Sequence, residues 1–470
     1  MSQRHRVRRS MTGIHASKLA ALPLAVALLT GCAAYSARPL PEKADLATRV
    51  PDVKVDVQAL HLPGLAPHAY DPAHGLDMTD AAILAVVNNP GLRTARNEAR
   101  ASRVQSFAAG LLPGPQLSAS RDRPTDNTAG LVTGRSVGIG YDLGPLFTSG
   151  AEQAAAEAQA QQADLDLLWA EWQVAQQARV LFVQCRTDRA ELALLGDLKQ
   201  AMQTRYDAER TALKSGDIAF DSLSTGLAAL QDVQSRADVM ARQESDDCAA
   251  LNGLLGLAPE LRLELLAPEA PQDIPAARVD EALAKLPGRR PDLVALQYGY
   301  QAQDEEVRRA VLAQFPSIGL GINKANDTSN VHTTGFSLSL SFPFIFGGAK
   351  QVHAAEASRD ALWRAYQQRL DETQAEVRQA AADLALLQGE LDKLLASAGD
   401  AEEMNTSAAA AYARGDLTAP AYYELTISSL NRRLERADLE AQIQQFHVAL
   451  ETLLGLPPED LKHPIDEAQP

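Results

Sequence analysis

Gly335-Phe336-Ser337-Leu338-Ser339-Leu340-Ser341-Phe342 alternates at every step. In an extended chain Phe336, Leu338, Leu340 and Phe342 share one face, and Ser337, Ser339 and Ser341 share the other. A strand with one wholly apolar face and one hydroxyl face suits a wall between lipid and water. Just before it, Ile318, Leu320 and Ile322 alternate with Ser317, Gly319, Gly321 and Asn323, and a polar loop over 324–330 joins the two runs. The first half of the chain has the same arrangement. There Val137, Ile139, Tyr141 and Leu143 alternate with Ser136, Gly138, Gly140 and Asp142, after an earlier extended run and a polar connection from Pro124 to Gly134. The reading places strands at about 115–123, 134–143, 316–324 and 333–343. Each has roughly the nine residues that cross a bilayer at a tilt.

Both hairpins lead into very long helices. From Gly150 to Lys214, and again from Gly347 to Arg414, Gly and Pro nearly vanish while Ala, Gln, Glu and Leu dominate. A helix of this length spans roughly 90 Å, which means a coiled coil or an extended bundle. Gly216-Asp217 and Gly415-Asp416 turn the chain, and return helices run from about Ile218 to Leu255 and on to Leu454. Shorter helical patterns precede the hairpins: Met78 to Leu112, capped by Asp77 or Thr79, and Asp280 to Ala313, interrupted at Pro287-Gly288 and Pro291. Asp217 and Asp416 are expected to cap the helices that follow them.

The two halves are near copies. Leu251-Asn252-Gly253-Leu254-Leu255-Gly256-Leu257-Ala258-Pro259-Glu260 returns as Leu450-Glu451-Thr452-Leu453-Leu454-Gly455-Leu456-Pro457-Pro458-Glu459, about 199 residues later. Gly216-Asp217 returns as Gly415-Asp416, and Ser149-Gly150-Ala151 as Gly347-Gly348-Ala349. The organisation is a first repeat over 77–257, a linker over 258–279, a second repeat over 280–456 and a flexible tail over 457–470. Arg289–Leu293 and Glu424 show no counterpart in the first copy, and the Cys185/Cys248 pair shows none in the second.

Four strands cannot close into a barrel, and an open sheet edge is not tolerated in lipid. Chains must combine: two reach the smallest membrane barrel, and three give twelve strands with room for a pore. The small inward residues favour three. The long helices are too polar for lipid and need lateral packing against copies of themselves. The fold class expected is mainly α with transmembrane β.

The N-terminus reads as an export signal. Arg4, Arg6, Arg8, Arg9 and Lys18 precede an apolar run from Leu19 to Leu29, too short to span a bilayer. The run ends Leu29-Thr30-Gly31-Cys32, the pattern of a lipoprotein cleavage site. Residues 1–31 would be removed, Cys32 would carry a covalent lipid, and 32–76 would form an acylated leader. Ala33 in place of Asp gives no inner-membrane retention signal. The net charge of −16 loses five positive charges with the signal and falls to −21. That argues against nucleic acid or an anionic lipid surface as a partner. Cys185 and Cys248 lie about equally far from Gly216, so a helical hairpin would bring them level. A disulfide fits an oxidising compartment, and two small buried apolar residues fit as well. No nucleophile–base set, ligand-spaced His cluster or Met track is present, so neither an enzyme nor a metal cofactor is expected.

Leu286-Pro287-Gly288-Arg289-Arg290-Pro291-Asp292-Leu293, followed by Ala313-Gln314-Phe315-Pro316-Ser317-Ile318-Gly319-Leu320, resembles the TolC-like outer membrane factors, in particular the NodT/OprM-type efflux lipoproteins. Phe344-Ile345-Phe346-Gly347-Gly348 is similar to their second-repeat start of the long helix. The first-repeat segment Tyr141–Phe147 departs from that subgroup and leans toward its heavy-metal branch. The resemblance covers about 77–457. It implies a homotrimer in the outer membrane with a twelve-stranded barrel, continued by an α-helical tunnel through the periplasm. It implies docking on a periplasmic adaptor and an inner-membrane transporter, and passive export of drugs or metal ions. It also implies that the turns at Gly216, Asp217, Gly415 and Asp416 form the periplasmic tip. The family's acidic aperture positions fall on Ala421 and Glu424, and only Glu424 can supply a charged ring. Tyr422 and Tyr423 are placed either to plug the lumen or to pack in the core. A type I protein secretion duct and a non-conducting periplasmic coiled-coil lipoprotein are the competing readings.

Overall fold

The computed structural model describes residues 37–51, 62, 70, 72–125, 130–268, 271, 274–342 and 347–455. The signal, Cys32, the start of the leader, Phe344-Ile345-Phe346 and the tail lie outside them. Met1–Leu46 is one unit, whose described part has neither helix nor strand, and Ala47–Pro470 is the second.

In the second unit the element order is duplicated. Helices α1 (Met78–Asn88) and α2 (Pro90–Ala109) lead into strands β1 (Gln116–Asp122) and β2 (Gly134–Asp142), then the long α3 (Gly144–Ser215) and its return α4 (Phe220–Leu254). The second copy has α5 (Ala276–Ala284), a 3-10 turn at Leu286–Gly288, α6 (Pro291–Leu312), β3 (Ser317–Asn326), β4 (His332–Ser341), the long α7 (Gly348–Arg414) and its return α8 (Ala419–Leu454). At 72 and 67 residues, α3 and α7 are about 108 Å and 100 Å long. No helix among the described residues is long and apolar enough to cross a membrane.

The helical pattern from Met78 to Leu112 is two helices, not one. Asn89 closes α1, and its side chain caps α2 by accepting from the Leu92 amide. Pro90, which has no amide hydrogen, starts the new helix. Asp77 rather than Thr79 is the cap of α1, in a reciprocal capping box with Asp80. Helix α3 begins six residues before Gly150, at Gly144-Pro145 directly behind β2.

This break exposes a correspondence missed in the sequence. Asn88-Asn89-Pro90-Gly91-Leu92 is the counterpart of Arg289-Arg290-Pro291-Asp292-Leu293, and each pentad ties down the end of its repeat's last helix. Asn88 and Asn89 donate through Nδ2 to the carbonyls of Leu255 (2.7 Å) and Leu254 (2.9 Å). Arg289 Nε donates to the carbonyl of Leu454 at 3.1 Å. Amide and guanidinium do one job: satisfying carbonyls that a helix end leaves without partners.

The strands form one antiparallel sheet in the order β1-β2-β3-β4. Leu117, Ile139, Ile322 and Phe336 lie opposite one another in one continuous row. The next row toward the helices holds Tyr141, Leu320 and Leu338, and the one after that Ile318 and Leu340. The opposite face carries Ser118, Gly138, Asn323 and Gly335, then Gly140, Gly321 and Ser337. β1 and β4 each have one unpaired edge among the described residues.

The core lies along α3, which packs on α1, α2, α4, α6 and α8. One cluster joins Leu195 and Leu198 of α3, Val233 of α4, and Ile427, Leu430 and Leu434 of α8. Both repeats are thus fused by helix α3. Cys185 of α3 and Cys248 of α4 are joined in a disulfide, so the plainer reading of two separate buried thiols does not hold in this structure. The bridge spans 63 residues of sequence, including the whole tip of the hairpin. Closing a loop of that size restricts the unfolded chain by about 4 kcal/mol. Unreduced, unfolded protein is expected to show no free thiol at Cys185 or Cys248. Reduction, or the pair Cys185→Ser with Cys248→Ser, should lower the unfolding midpoint; free thiols in a thiol titration would refute the bridge.

Candidate functional site

The far ends of the hairpins from the sheet are built alike. Gly216 and Gly415 both adopt left-handed backbone, each with φ 81°, which a side chain would strain. The amides of Gly216 and Asp217 close α3 on the carbonyls of Leu213 and Ala212, and those of Gly415 and Asp416 close α7 on Tyr412 and Ala411. Asp217 and Asp416 are therefore not the caps of the following helices. Those positions belong to Ala219 and Thr418, neither of which makes a side-chain cap bond. The Asp side chains sit two residues too early, and Asp416 instead accepts from Arg414 Nε at 2.9 Å.

Glu424 lies near the start of α8 and is 72% exposed. One oxygen accepts from Arg205 of α3 at 3.1 Å, and Arg205 also holds Glu209 at 2.9 Å. The bond to Glu209, with the charges of both carboxylates, outweighs burial and pushes the guanidinium further up. Glu424 thus has a cationic partner from the other repeat, Arg205, which the sequence reading did not supply. Tyr412 and Tyr422 stack with ring centroids 4.8 Å apart and an interplanar angle of 3°. Tyr423 tilts against both and packs beside the Leu195–Leu434 cluster. Burial first, and then Tyr412, pushes its phenol up. Within one chain these tyrosines tie α7 to α8.

Farther from the tip, next to the disulfide, acids crowd together. Asp188 is one turn beyond Cys185, and Asp247 immediately precedes Cys248. Burial pushes the Asp188 carboxyl up to about 7, helped by its hydrogen bond to Asp247 and by the charges of Asp247, Glu191 and Glu244. Burial and the charge of Asp438 push Glu191 up too. A groove of about 520 Å³ opens beside them between α3, α4 and α8, lined by Glu191, Arg236, Met240, Leu434 and Asp438. The crowding was open to inspection in sequence, since Asp188 and Asp247 flank the cysteines on facing helices.

On the side of the disulfide toward the sheet Arg290 is fully buried, its guanidinium 4.6 Å above the ring of Trp169 on α3. It donates to both oxygens of Asp292 at 2.9 and 2.6 Å, and Arg369 of α7 adds a third bond at 2.9 Å. Burial alone would raise the Asp292 carboxyl, but the two guanidinium groups reverse this and hold it below its ordinary range. This network links α6, α7 and the first repeat. It is structural, and among the described residues no cluster of His, Cys, Asp and Glu could hold a metal ion.

Residues 282–456 match the outer membrane efflux protein family. This efflux-protein match starts in α5 and reaches the end of α8. The whole fold is similar to the crystal structure of CusC, which concerns transmembrane channel formation, with a TM-score of 0.67, 19% identity, and coverage of 87% of this chain and 99% of that one. It is similar to the Campylobacter jejuni CmeC outer membrane channel (TM-score 0.66, 16% identity, 90% of this chain and 95% of that one). It is also similar to the open Neisseria gonorrhoeae MtrE outer membrane channel (TM-score 0.65, 18% identity, 90% and 98%). At these identities the likeness establishes the fold, that of these outer membrane channels. No protein of curated function matches the chain in sequence.

The Asp188 site makes a pH prediction. A carboxyl raised from 3.8 to about 7 stabilises the folded state below pH 3.8, and that contribution is lost as pH rises toward 7. Asp188→Asn should therefore raise the unfolding midpoint relative to wild type at pH 8 and have little effect near pH 4. An increment equal at both pH values would show that Asp188 titrates normally.

Proposed function

We propose that the chain is the outer-membrane exit duct of a tripartite efflux system, a passive homotrimer that exports small molecules. The observation that carries this reading is the sheet: an apolar row crosses all four strands on one face, glycine and serine cover the other, and among the described residues both edges are open. Three copies joined edge to edge make twelve strands, satisfy every edge and enclose a lumen lined by small polar residues. The long helices, packed copy against copy, carry that lumen away from the membrane. The Cys32 lipid anchors the leader in the same outer membrane. The efflux-protein match and the likeness to CusC, CmeC and MtrE support the same reading.

Glu424 of three copies forms an acidic collar near the tip. Each carboxylate is bound by Arg205, so the collar is held by ion pairs between repeats as well as lined by charge. The turns at Gly216, Asp217, Gly415 and Asp416 are the surface nearest a periplasmic adaptor, and the groove between α3, α4 and α8 gives an adaptor helix a second contact. An inner-membrane transporter supplies the energy and selects the substrate, drug or metal ion.

Purified oligomer in a planar bilayer tests the proposal. Discrete conductance with three copies per unit is expected, and absence of conductance would favour the non-conducting coiled-coil reading. Glu424→Ala should raise the resting conductance severalfold and weaken cation preference. An unchanged trace would remove Glu424 from the aperture.

A further inference from the structure

Above the row Leu117–Ile139–Ile322–Phe336, away from the helices, the same sheet face changes character within two residues of each strand. The next row is Ala119, Val137, Lys324 and Thr334, and the last is Arg121, Arg135, Asn326 and His332. Successive rows are about 7 Å apart. Arg121 and Arg135 lie directly opposite each other on neighbouring strands and are both exposed. Like charges so placed repel. No carboxylate among the described residues pairs with Arg121, Arg135 or Lys324. The nearest acid in sequence, Asp122, is opposite Gly134 and so belongs to the other face. Exposed cations on two adjacent rows, without a partner carboxylate among the described residues, in a chain of net charge −16, call for an external anion.

We propose that Arg121, Arg135 and Lys324 bind the phosphate of an anionic lipid headgroup in the leaflet farther from the helices. The inference rests on the barrel reading above. Two guanidinium groups on opposed residues can fork onto the oxygens of one phosphate. The occupant is a lipid rather than a free anion because from the row Leu117–Ile139–Ile322–Phe336 toward the helices the face is apolar, through Tyr141, Leu320 and Leu338 to Ile318 and Leu340. Leu117 is 78% exposed, Ile322 57% and Phe336 70%, which gives acyl chains a surface to cover while the phosphate stays at the arginines. The negative net charge, which argues against an anionic lipid surface for the chain as a whole, does not describe this rim.

The full-length oligomer should be reconstituted in phosphatidylcholine vesicles and in phosphatidylcholine–phosphatidylglycerol vesicles. Retained phosphatidylglycerol is then counted by mass spectrometry after detergent extraction, and the heat resistance of the oligomer is measured. Wild type is expected to retain phosphatidylglycerol and to gain heat resistance from it. Arg121→Gln with Arg135→Gln and Lys324→Gln should retain at least about tenfold less, because each basic residue beside anionic lipid contributes several-fold. The triple variant should still conduct. Arg121→Lys with Arg135→Lys keeps the charge but loses the fork, and should fall between. Equal retention by wild type and triple variant, in vesicles where both conduct, would overturn the lipid site and leave the channel reading standing. Equal heat resistance from inorganic phosphate in phosphatidylcholine vesicles would assign the row to a free anion and overturn it too. Wild type that conducts in neither vesicle would sink the barrel reading, and this proposal with it.

Discussion

A four-stranded sheet with an apolar outer face and, among the described residues, two open edges is the constraint on which everything else depends. In water the exposed row Leu117–Ile139–Ile322–Phe336 would drive aggregation, and in lipid the unpaired edges of β1 and β4 would be left without partners. Only closure with other sheets resolves both. Closure in turn dictates the inner face. Side chains of a barrel converge inward, so Gly138, Gly140, Gly319 and Gly321, with serines beside them, keep that space open. The Cβ of an alanine at Gly321 would already collide with Ser337 Oγ across the sheet.

Helix α3 transmits that constraint to the rest of the molecule. It leaves β2 almost without a loop, because Gly144-Pro145 begins the helix two residues beyond the strand. It then serves as the surface on which both repeats pack. Polar anchors fix its neighbours. Asn88 and Asn89 hold the end of α4, Arg289 holds the end of α8, and Arg290 with Asp292 and Arg369 fastens α6 and α7 beside Trp169. Breaking a buried pair of this kind leaves a charge without compensation, typically a loss of about 3–5 kcal/mol. The duplication has therefore diverged in chemistry while keeping position: a neutral amide clasp in one copy, a charged and more widely connected one in the other.

What was legible in the sequence follows the range of the interactions involved. Strand alternation is a period-two signal within a few residues, so β2, β3 and β4 were placed to within one or two positions. Long helices nearly free of Gly and Pro are equally plain. The division at Asn89-Pro90 is masked because apolar periodicity runs on through it, although a capping side chain followed by a first-turn proline marks the break. The kinship of Asn88–Leu92 with Arg289–Leu293 was hidden by unlike side chains that perform one task. Arg205 and Glu424 are separated by more than two hundred residues, and no local pattern announces their pairing. For Cys185 and Cys248 the hairpin gave the height on each helix, but which faces meet is decided by packing along α3 and α4.

Charge shows most clearly why averages mislead here. The acidic excess argues about solubility and encounter, not about any one surface. Part of it is concentrated where Asp188, Asp247, Glu191 and Glu244 crowd beside the disulfide, and there burial and mutual repulsion favour a shared proton. A covalent brace at that height is physically apt, since it holds together two helices whose facing carboxylates would otherwise push them apart. The sheet rim shows the opposite sign, with Arg121 facing Arg135 and Lys324 one row below. Both clusters crowd like charges together: one is relieved by a proton and a disulfide, and the other, in the lipid site proposed above, by an external anion.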